Sequence, residues 1–146
     1  MTNVRIRRLR EHVTLPAYQT NGSAGFDLAA SEDVIVEPRS IALVPTGLVI
    51  EVPAGHFLGI FARSSTPLKR GLMVANGVGV VDADYCGDTD EIKIQVLNFT
   101  NERVHVKAGD RIAQGLLLPV TRAEWSEAAG ALREGARGGF GATGER

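Results

Sequence analysis

The chain has 146 residues, of which 44% are hydrophobic and 23% are charged, a balance typical of one globular domain rather than of a disordered chain. Sixteen basic residues against seventeen acidic ones give a net charge of −1, which excludes the positive field that a general nucleic-acid binder needs. One cysteine, Cys86, excludes an intrachain disulfide framework and a cysteine-rich zinc site. No apolar run approaches the roughly 18 residues of a membrane span. The basic N-terminus leads into no apolar signal region, so we expect a cytoplasmic protein.

Short β-branched runs, separated by proline and glycine, fill the chain from about residue 30 to residue 120. They recur roughly every 8 to 12 residues and have almost no helical period, which predicts an all-β sandwich or barrel. The expected strands lie at 34–37, 41–45, 48–52, 56–62, 91–100, 103–107 and 111–120.

The C-terminal part of the chain has a different pattern. Only 122–133 has a helical period: four apolar residues between Trp125 and Leu132 recur at i, i+3, i+4 and i+7, which predicts one short helix. Six of the last 17 residues are glycine. We therefore expect a folded unit over residues 1–134 and a mobile glycine-rich arm over 135–146.

An acidic segment, 82–91, follows the apolar run 78–81 and has five acids among its ten residues. It cannot be a calcium loop, because the fifth and twelfth positions would be a cysteine and a lysine. A solvated turn accounts for the later acids. Asp82 differs from them because it directly follows a strand that should be buried, and such a carboxylate is a reasonable general base.

A second polar segment runs from Arg63 to Arg70 and contains three cations and three hydroxyl side chains. A guanidinium, hydroxyl donors and backbone amides together suit a phosphate group. From these residues alone, a polar turn is an equally good interpretation.

Taken together, these segments resemble the motifs of the trimeric deoxyuridine triphosphatase (dUTPase) family. Five stretches match in order and span nearly the whole chain. The resemblance implies a jelly-roll-like β-barrel of the dUTPase type, a homotrimer with three shared active sites, dUTP as the substrate, and neither nucleic acid nor membrane as a partner. The matching stretches are 24–30, 62–72, 76–87, 109–114 and 138–144.

The resemblance also implies a reaction. Water, activated by Asp82 as general base, would attack the α-phosphorus of dUTP and release dUMP and pyrophosphate, with Mg²⁺ held mainly by the nucleotide. Such an enzyme limits uracil in DNA and supplies dUMP for dTMP synthesis. Asp27 would orient Arg63 or reach the waters of the metal. The residues implied to contact the phosphates in this part of the chain are Arg63, Ser64, Ser65 and Gln114.

The same resemblance implies which residues contact the uracil base and the sugar. Asn76 and the backbone at Gly79 and Val81 would read the uracil edge, since a side-chain amide offers both a donor and an acceptor. Tyr85 would lie under the deoxyribose and exclude a 2′-hydroxyl by steric clash.

The glycine-rich arm would close over bound nucleotide, with Phe140 stacked on the base and Thr143 at the γ-phosphate. The family has an arginine five residues before this phenylalanine, where the chain has Gly135. Arg133 or Arg137 would replace it, and we favour Arg137.

Two other departures from the family pattern leave alternatives open. The stretch 87–98 is about three residues longer than usual near 89–91. Ser65 replaces a glycine and makes the chain similar to dCTP deaminases, including bifunctional ones. Deamination there uses a glutamate at the place of Gln95, and an amide cannot shuttle the protons, which argues against the deaminase. A catalytically silent trimeric binding module is the remaining alternative.

Overall fold

The computed structural model describes residues 1–144, which form an all-β fold with eleven strands and one short helix. No helix among these residues is long and apolar enough to cross a membrane. The strands are β1 (Ile6–Arg8), β2 (Phe26–Ala29), β3 (Val34–Val36), β4 (Ile41–Pro45), β5 (Leu48–Ile50), β6 (His56–Ala62), β7 (Leu72–Val74), β8 (Gly79–Val81), β9 (Lys93–Asn98), β10 (Val104–Val106) and β11 (Arg111–Pro119), and the helix is α1 (Ser65–Arg70).

The strands pair in four antiparallel sheets of the jelly-roll type. The largest has the order β2-β11-β6-β8, and a second has the order β4-β9-β7. Two ribbons, β1-β5 and β10-β3, complete the set. Most neighbours within a sheet are distant in sequence, so the chain crosses repeatedly between sheets, as a Greek-key arrangement requires.

One hydrophobic core lies between these sheets. On β9, Ile94 and Val96 point inward and are fully buried, while the alternate residues Lys93, Gln95 and Leu97 are more exposed. Leu58 from β6 and Leu28 from β2 are buried against the same core. This alternation confirms the expected strands, each to within a few residues at its ends; β1, β2 and β7 come in addition to them.

The short helix lies elsewhere than the sequence pattern predicted. It covers Ser65–Arg70, within the segment interpreted as a polar turn or phosphate site. Gly71 ends it in the left-handed conformation with φ 66°, which glycine adopts without strain. The buried Thr66 hydroxyl donates to the Ile112 carbonyl at 3.0 Å, so α1 is held against β11.

The prediction of a helix over 122–133 is wrong. The structure has no helix there, and Trp125 and Leu132 are 91% and 92% exposed. The apolar stripe packs on no other part of residues 1–144, and an isolated helix of about 12 residues is marginal in water. Residues 120–144 are exposed throughout. Glu145 and Arg146, the last two residues of the predicted arm, lie outside the described residues.

Candidate active site

A cluster of charged side chains lies where three strands of the largest sheet come together. Gln114 on β11 pairs with Asp27 on β2 and with Phe61 on β6, and Arg63 follows directly after β6. Asp27 Oδ1 lies 2.8 Å from Arg63 Nε, and its Oδ2 lies 3.0 Å from Arg111 Nη1. Strand pairing therefore brings together residues that are far apart in sequence.

The Asp27 carboxylate, only 13% exposed, is shared between two guanidinium groups. Arg63 also donates from Nη1 to the Arg111 carbonyl at 3.2 Å, and Gln114 Nε2 donates to the Ala62 carbonyl at 3.0 Å. These contacts fix the direction of Arg63, which is one of the two roles that the family resemblance implies for Asp27. Two guanidinium groups against one carboxylate leave one excess positive charge, which suits an anionic ligand.

Helix α1 carries the serines of this half of the site. Ser64 is the residue before the first helical turn, and its hydroxyl makes no capping hydrogen bond. Ser65 begins the helix. At its other end, Arg70 Nη1 donates to Asp110 Oδ2 at 2.8 Å, and the Lys107 amide donates to the same oxygen at 3.0 Å. The ion pair ties α1 to the turn before β11.

A second polar cluster lines a cleft of about 440 Å³ between the turn that connects β7 to β8 and the segment before β9. Five of its residues were predicted from the sequence. The turn is tight: the Gly77 amide donates to the Val74 carbonyl, and the Val78 amide donates to the Asn76 carbonyl. The predicted residues that line this cleft are Asn76, Gly79, Val81, Asp82 and Tyr85.

Asp82 is exposed and lies where this cleft meets a second one, of about 750 Å³. That second cleft is lined on the other side by His56 and Phe57 at the start of β6 and by Val120. The carboxylate is therefore accessible to water and to a ligand in either cleft.

The two clusters lie at opposite ends of β6. On β6, Leu58 pairs with Val81, so Asp82 comes next to Phe57, while Arg63 follows the far end of the strand. Six residue steps of extended chain separate Phe57 from Arg63, or about 20 Å. One chain therefore does not bring Asp82 and Arg63 to the same ligand.

The predicted residues of the arm join neither cluster. Arg137, Phe140 and Thr143 are exposed, and Phe140 has a φ of 51°. None of the three lines either cleft described above.

Several residues of the site were missing from the sequence-based set. Arg111 contacts Asp27, and the pair of Arg70 with Asp110 anchors α1. Glu91 accepts a hydrogen bond from the Tyr85 hydroxyl. The sequence contained a signal for Arg111, Arg70 and Asp110, because they lie within two of the matching stretches. Which of these side chains contact each other, however, depends on strand pairing.

The geometry defines a class of protein: an all-β fold with polar residues at both ends of one sheet. The dUTPase family model matches residues 11–144, and the chain belongs to the dUTPase family. A relative from Nautilia profundicola named deoxyuridine 5′-triphosphate nucleotidohydrolase is 41% identical over 143 residues, or 97% of this chain and 99% of that one. One from Wolinella succinogenes with the same name is 43% identical over 144 residues, or 97% and 94%.

Solved structures resemble the chain over most of its length. The dUTPase from Streptococcus mutans has a TM-score of 0.76 and 33% identity, covering 85% of this chain and 100% of that one. The dUTPase of Staphylococcus bacteriophage 80alpha with dUpNHpp has a TM-score of 0.86 over 99% of both chains, at 21% identity. At that identity the phage enzyme supports the fold alone.

The Arg70–Asp110 pair predicts an effect of pH on stability. The guanidinium beside Asp110 holds the pKa of that carboxyl below its ordinary value. The pair therefore stabilises the fold above the unfolded pKa of about 3.9, and this contribution is lost as pH falls through the folded pKa. Because the pair is partly exposed, Asp110→Asn should cost about 0.5–1 kcal/mol at pH 7. The difference from the parent protein should shrink below pH 4.

Urea unfolding at pH 7, 4 and 3, at one fixed protomer concentration, measures this difference. The matched control is Glu37→Gln, which removes the more exposed Glu37–Arg103 pair and should change stability by less. A loss for Asp110→Asn that stays constant down to pH 3 would contradict the assignment.

Proposed function

We propose that the protein hydrolyses dUTP to dUMP and pyrophosphate, and so limits uracil in DNA and supplies dUMP for dTMP synthesis. The observation that carries the proposal is the cleft of Asn76, Gly79, Val81 and Tyr85 with the Asp82 carboxylate at its rim. Family membership and relatives named deoxyuridine 5′-triphosphate nucleotidohydrolase support the same substrate.

The cleft offers the groups that a deoxyuridine needs. The Asn76 amide can donate to O4 of uracil and accept from N3–H, and backbone groups at Gly79 and Val81 lie in the same cleft. Tyr85 lies on the same wall as Asp82, so a nucleotide held by its base would place the sugar on the ring and the α-phosphate near the carboxylate.

Asp82 would act as the general base. It would take a proton from a water molecule as the water oxygen attacks the α-phosphorus, while the bond from that phosphorus to the bridging oxygen breaks. The electron pair of that bond leaves with pyrophosphate. An exposed carboxylate at the rim of the cleft can reach such a water.

Arg63, Ser64, Ser65 and Gln114 would bind the phosphates. The ion pair with Asp27 holds Arg63 in one direction, so less conformational entropy is lost when the phosphate binds. At the arm, Arg137 and Thr143 would contact the γ-phosphate.

Mg²⁺ fits this site as an ion that the nucleotide brings. Among residues 1–144, no group of three or more His, Cys, Asp or Glu side chains could hold a metal. Each oxygen of Asp27 already forms an ion pair with a guanidinium group, so Asp27 would reach the ion through water. When bound, Mg²⁺ would neutralise charge on the phosphate oxygens.

A homotrimer would assemble complete sites from the separated clusters. A separation of about 20 Å within one chain requires Arg63 and Asp82 at one triphosphate to come from different copies. An apolar surface is available for this contact: Ile41 and Met73 flank Leu97 on the outer face of the β4-β9-β7 sheet and are 59% and 44% exposed. Closed three-fold symmetry would form three identical sites.

The arm, residues 135–146, would close over a bound nucleotide. Phe140 is fully exposed and Trp125 nearly so, which leaves both rings available to a neighbouring copy or to a ligand. Stacking of Phe140 on uracil would exclude water from the reacting phosphate.

Nucleotide specificity and substitution of the proposed general base, Asp82, test this function. The parent protein should release pyrophosphate rapidly from dUTP and far more slowly from UTP, dCTP and dTTP. Asp82→Asn should still bind dUTP but hydrolyse it about 10²- to 10⁴-fold more slowly, because the amide cannot accept the proton. Pyrophosphate release with Mg²⁺ and calorimetric binding of dUTP measure the two effects.

The matched control is Asp88→Asn, an acid of the same segment whose side chain is 98% exposed, and its rate should equal that of the parent. An Asp82→Asn variant with most of its rate intact would remove Asp82 as the base. A folded trimer that releases pyrophosphate from none of the four nucleotides would favour the silent binding module.

A mixing experiment tests the shared site. Arg63→Ala and Asp82→Asn should each be nearly inactive alone. Unfolded together in equal amounts and refolded, they should regain about a quarter of the parent activity, since that share of sites receives an intact residue from each copy. Separate refolding followed by mixing without denaturant is the control, and activity that stays at the single-variant level after co-refolding would contradict shared sites.

Truncation tests the arm. A chain ending at Ala136 should fold and form the same oligomer, because residues 120–144 are exposed and contribute nothing to the core. Its turnover of dUTP should fall severely, whereas Phe140→Ala should show a smaller loss of the same kind. Light scattering and steady-state kinetics measure both properties, and unchanged kinetics in the truncated chain would show that the arm is no lid.

A further inference from the structure

Tyr85 is held at the cleft by a hydrogen bond to Glu91, a residue that lies outside the five matching stretches. Tyr85 is 42% exposed, so packing alone does not fix its ring. Its hydroxyl donates to the Glu91 carbonyl oxygen at 3.2 Å, and its backbone amide donates to the Asp82 carbonyl at 3.2 Å. The position of the Tyr85 ring therefore depends on where the backbone of Glu91 lies.

Glu91 itself is fixed by the turn between β4 and β5. Its carboxylate, 11% exposed, accepts from the Gly47 amide at 2.8 Å and from Arg10 Nη1 at 3.2 Å. The next residue, Ile92, is buried, and its amide donates to the Leu48 carbonyl at 2.9 Å. The side chain of Glu91 thus anchors the end of the acidic segment to the body of the fold.

The intervening loop provides no comparable anchor. Residues 87–90 form a small turn in which the Gly87 amide donates to Asp90 Oδ2 at 2.7 Å. The Asp88 side chain in its middle is 98% exposed and lies 3.4 Å from Arg7, which is itself exposed. It overlaps the stretch 87–98, for which the sequence predicts about three residues more than the family pattern, near 89–91. A longer loop would leave the Tyr85 ring more mobile, unless the carboxylate of Glu91 holds the C-terminal end of that loop.

We propose that Glu91 is a positioning residue that holds the Tyr85 ring under the sugar and thereby determines how strongly the enzyme rejects a 2′-hydroxyl. The proposal rests on the function proposed above. A ring excludes a hydroxyl group by steric contact, so a displacement of about 1 Å creates room for it. Discrimination between dUTP and UTP therefore depends on the ion pair and the amide contact at Glu91, although Glu91 touches no reacting atom.

The kinetic test compares kcat/KM for dUTP with kcat/KM for UTP. Glu91→Ala should lower this ratio roughly three- to tenfold, the range expected for one lost hydrogen bond, while kcat for dUTP changes less than the ratio. Glu91→Gln should retain most of the ratio, because its amide oxygen still accepts from Gly47 and Arg10. An unchanged ratio in folded Glu91→Ala would overturn the proposal.

A double-variant cycle separates this role from general stability. Tyr85→Phe, which lacks the hydroxyl, should also lower the ratio, and Glu91→Ala should add less than a further twofold in that background. The control Glu37→Gln removes the ion pair between Glu37, which follows β3, and Arg103, which precedes β10. Neither residue lines the cleft, so the ratio should stay unchanged. Fully multiplicative effects of Tyr85→Phe and Glu91→Ala would overturn the proposal.

An NMR measurement tests the positioning without any turnover. The chain has two tyrosines, and Tyr18 packs edge-on against Phe26, away from Glu91. With ring-labelled tyrosine, Glu91→Ala should shift the Tyr85 signal and leave the Tyr18 signal in place. A Tyr85 signal that does not move would overturn the proposal. A parent protein inactive on dUTP whose Tyr85 signal still shifts would instead refute the proposed function and retain the positioning role.

Discussion

The antiparallel pairing of β6 with its two neighbours is the constraint on which the rest of the site depends. Its C-terminal end delivers Arg63 to the carboxylate of Asp27, and its N-terminal end lies beside Asp82. Because a strand of seven residues is rigid and buried in its middle, the two ends cannot approach each other. A single chain therefore carries two polar clusters of opposite character, which the proposed homotrimer would bring together at one ligand.

The two clusters at the ends of β6 differ in charge. At one end, two guanidinium groups share the carboxylate of Asp27 and retain an excess positive charge. At the other end, Asp82 is an exposed carboxylate at the rim of the cleft that Asn76 and Tyr85 line. A triphosphate placed between them would meet positive charge along its phosphates and a base at the α-phosphorus. Separation within the chain also keeps Arg63 and Asp82 from pairing with each other.

Anchoring contacts between distant segments explain why exposed site residues can still be well positioned. Arg70 and Asp110 hold the helix that carries the serines, and Thr66 ties it to β11. Glu91 does the same for the segment that carries Tyr85. In each case the anchored residue, in the short helix or in a loop, has its partner in a strand or a tight turn, so the sheet fixes the position of residues that packing does not cover.

The sequence by itself determined most of the strands and the family to which the chain belongs. Alternating apolar residues, such as Ile94 and Val96, indicate one buried face regardless of partner, and the five matching stretches predict Asp82, Arg63 and Tyr85 as site residues. The same local logic predicted a helix over 122–133 that does not form, because its stripe has nothing to pack on, and missed α1, which tertiary hydrogen bonds hold. Only the tertiary structure decided that Asp27 meets Arg111, that Glu91 anchors Tyr85, and that Arg63 and Asp82 lie apart. These facts depend on the register between strands distant in the chain, which is set by mutual packing and not by any local pattern.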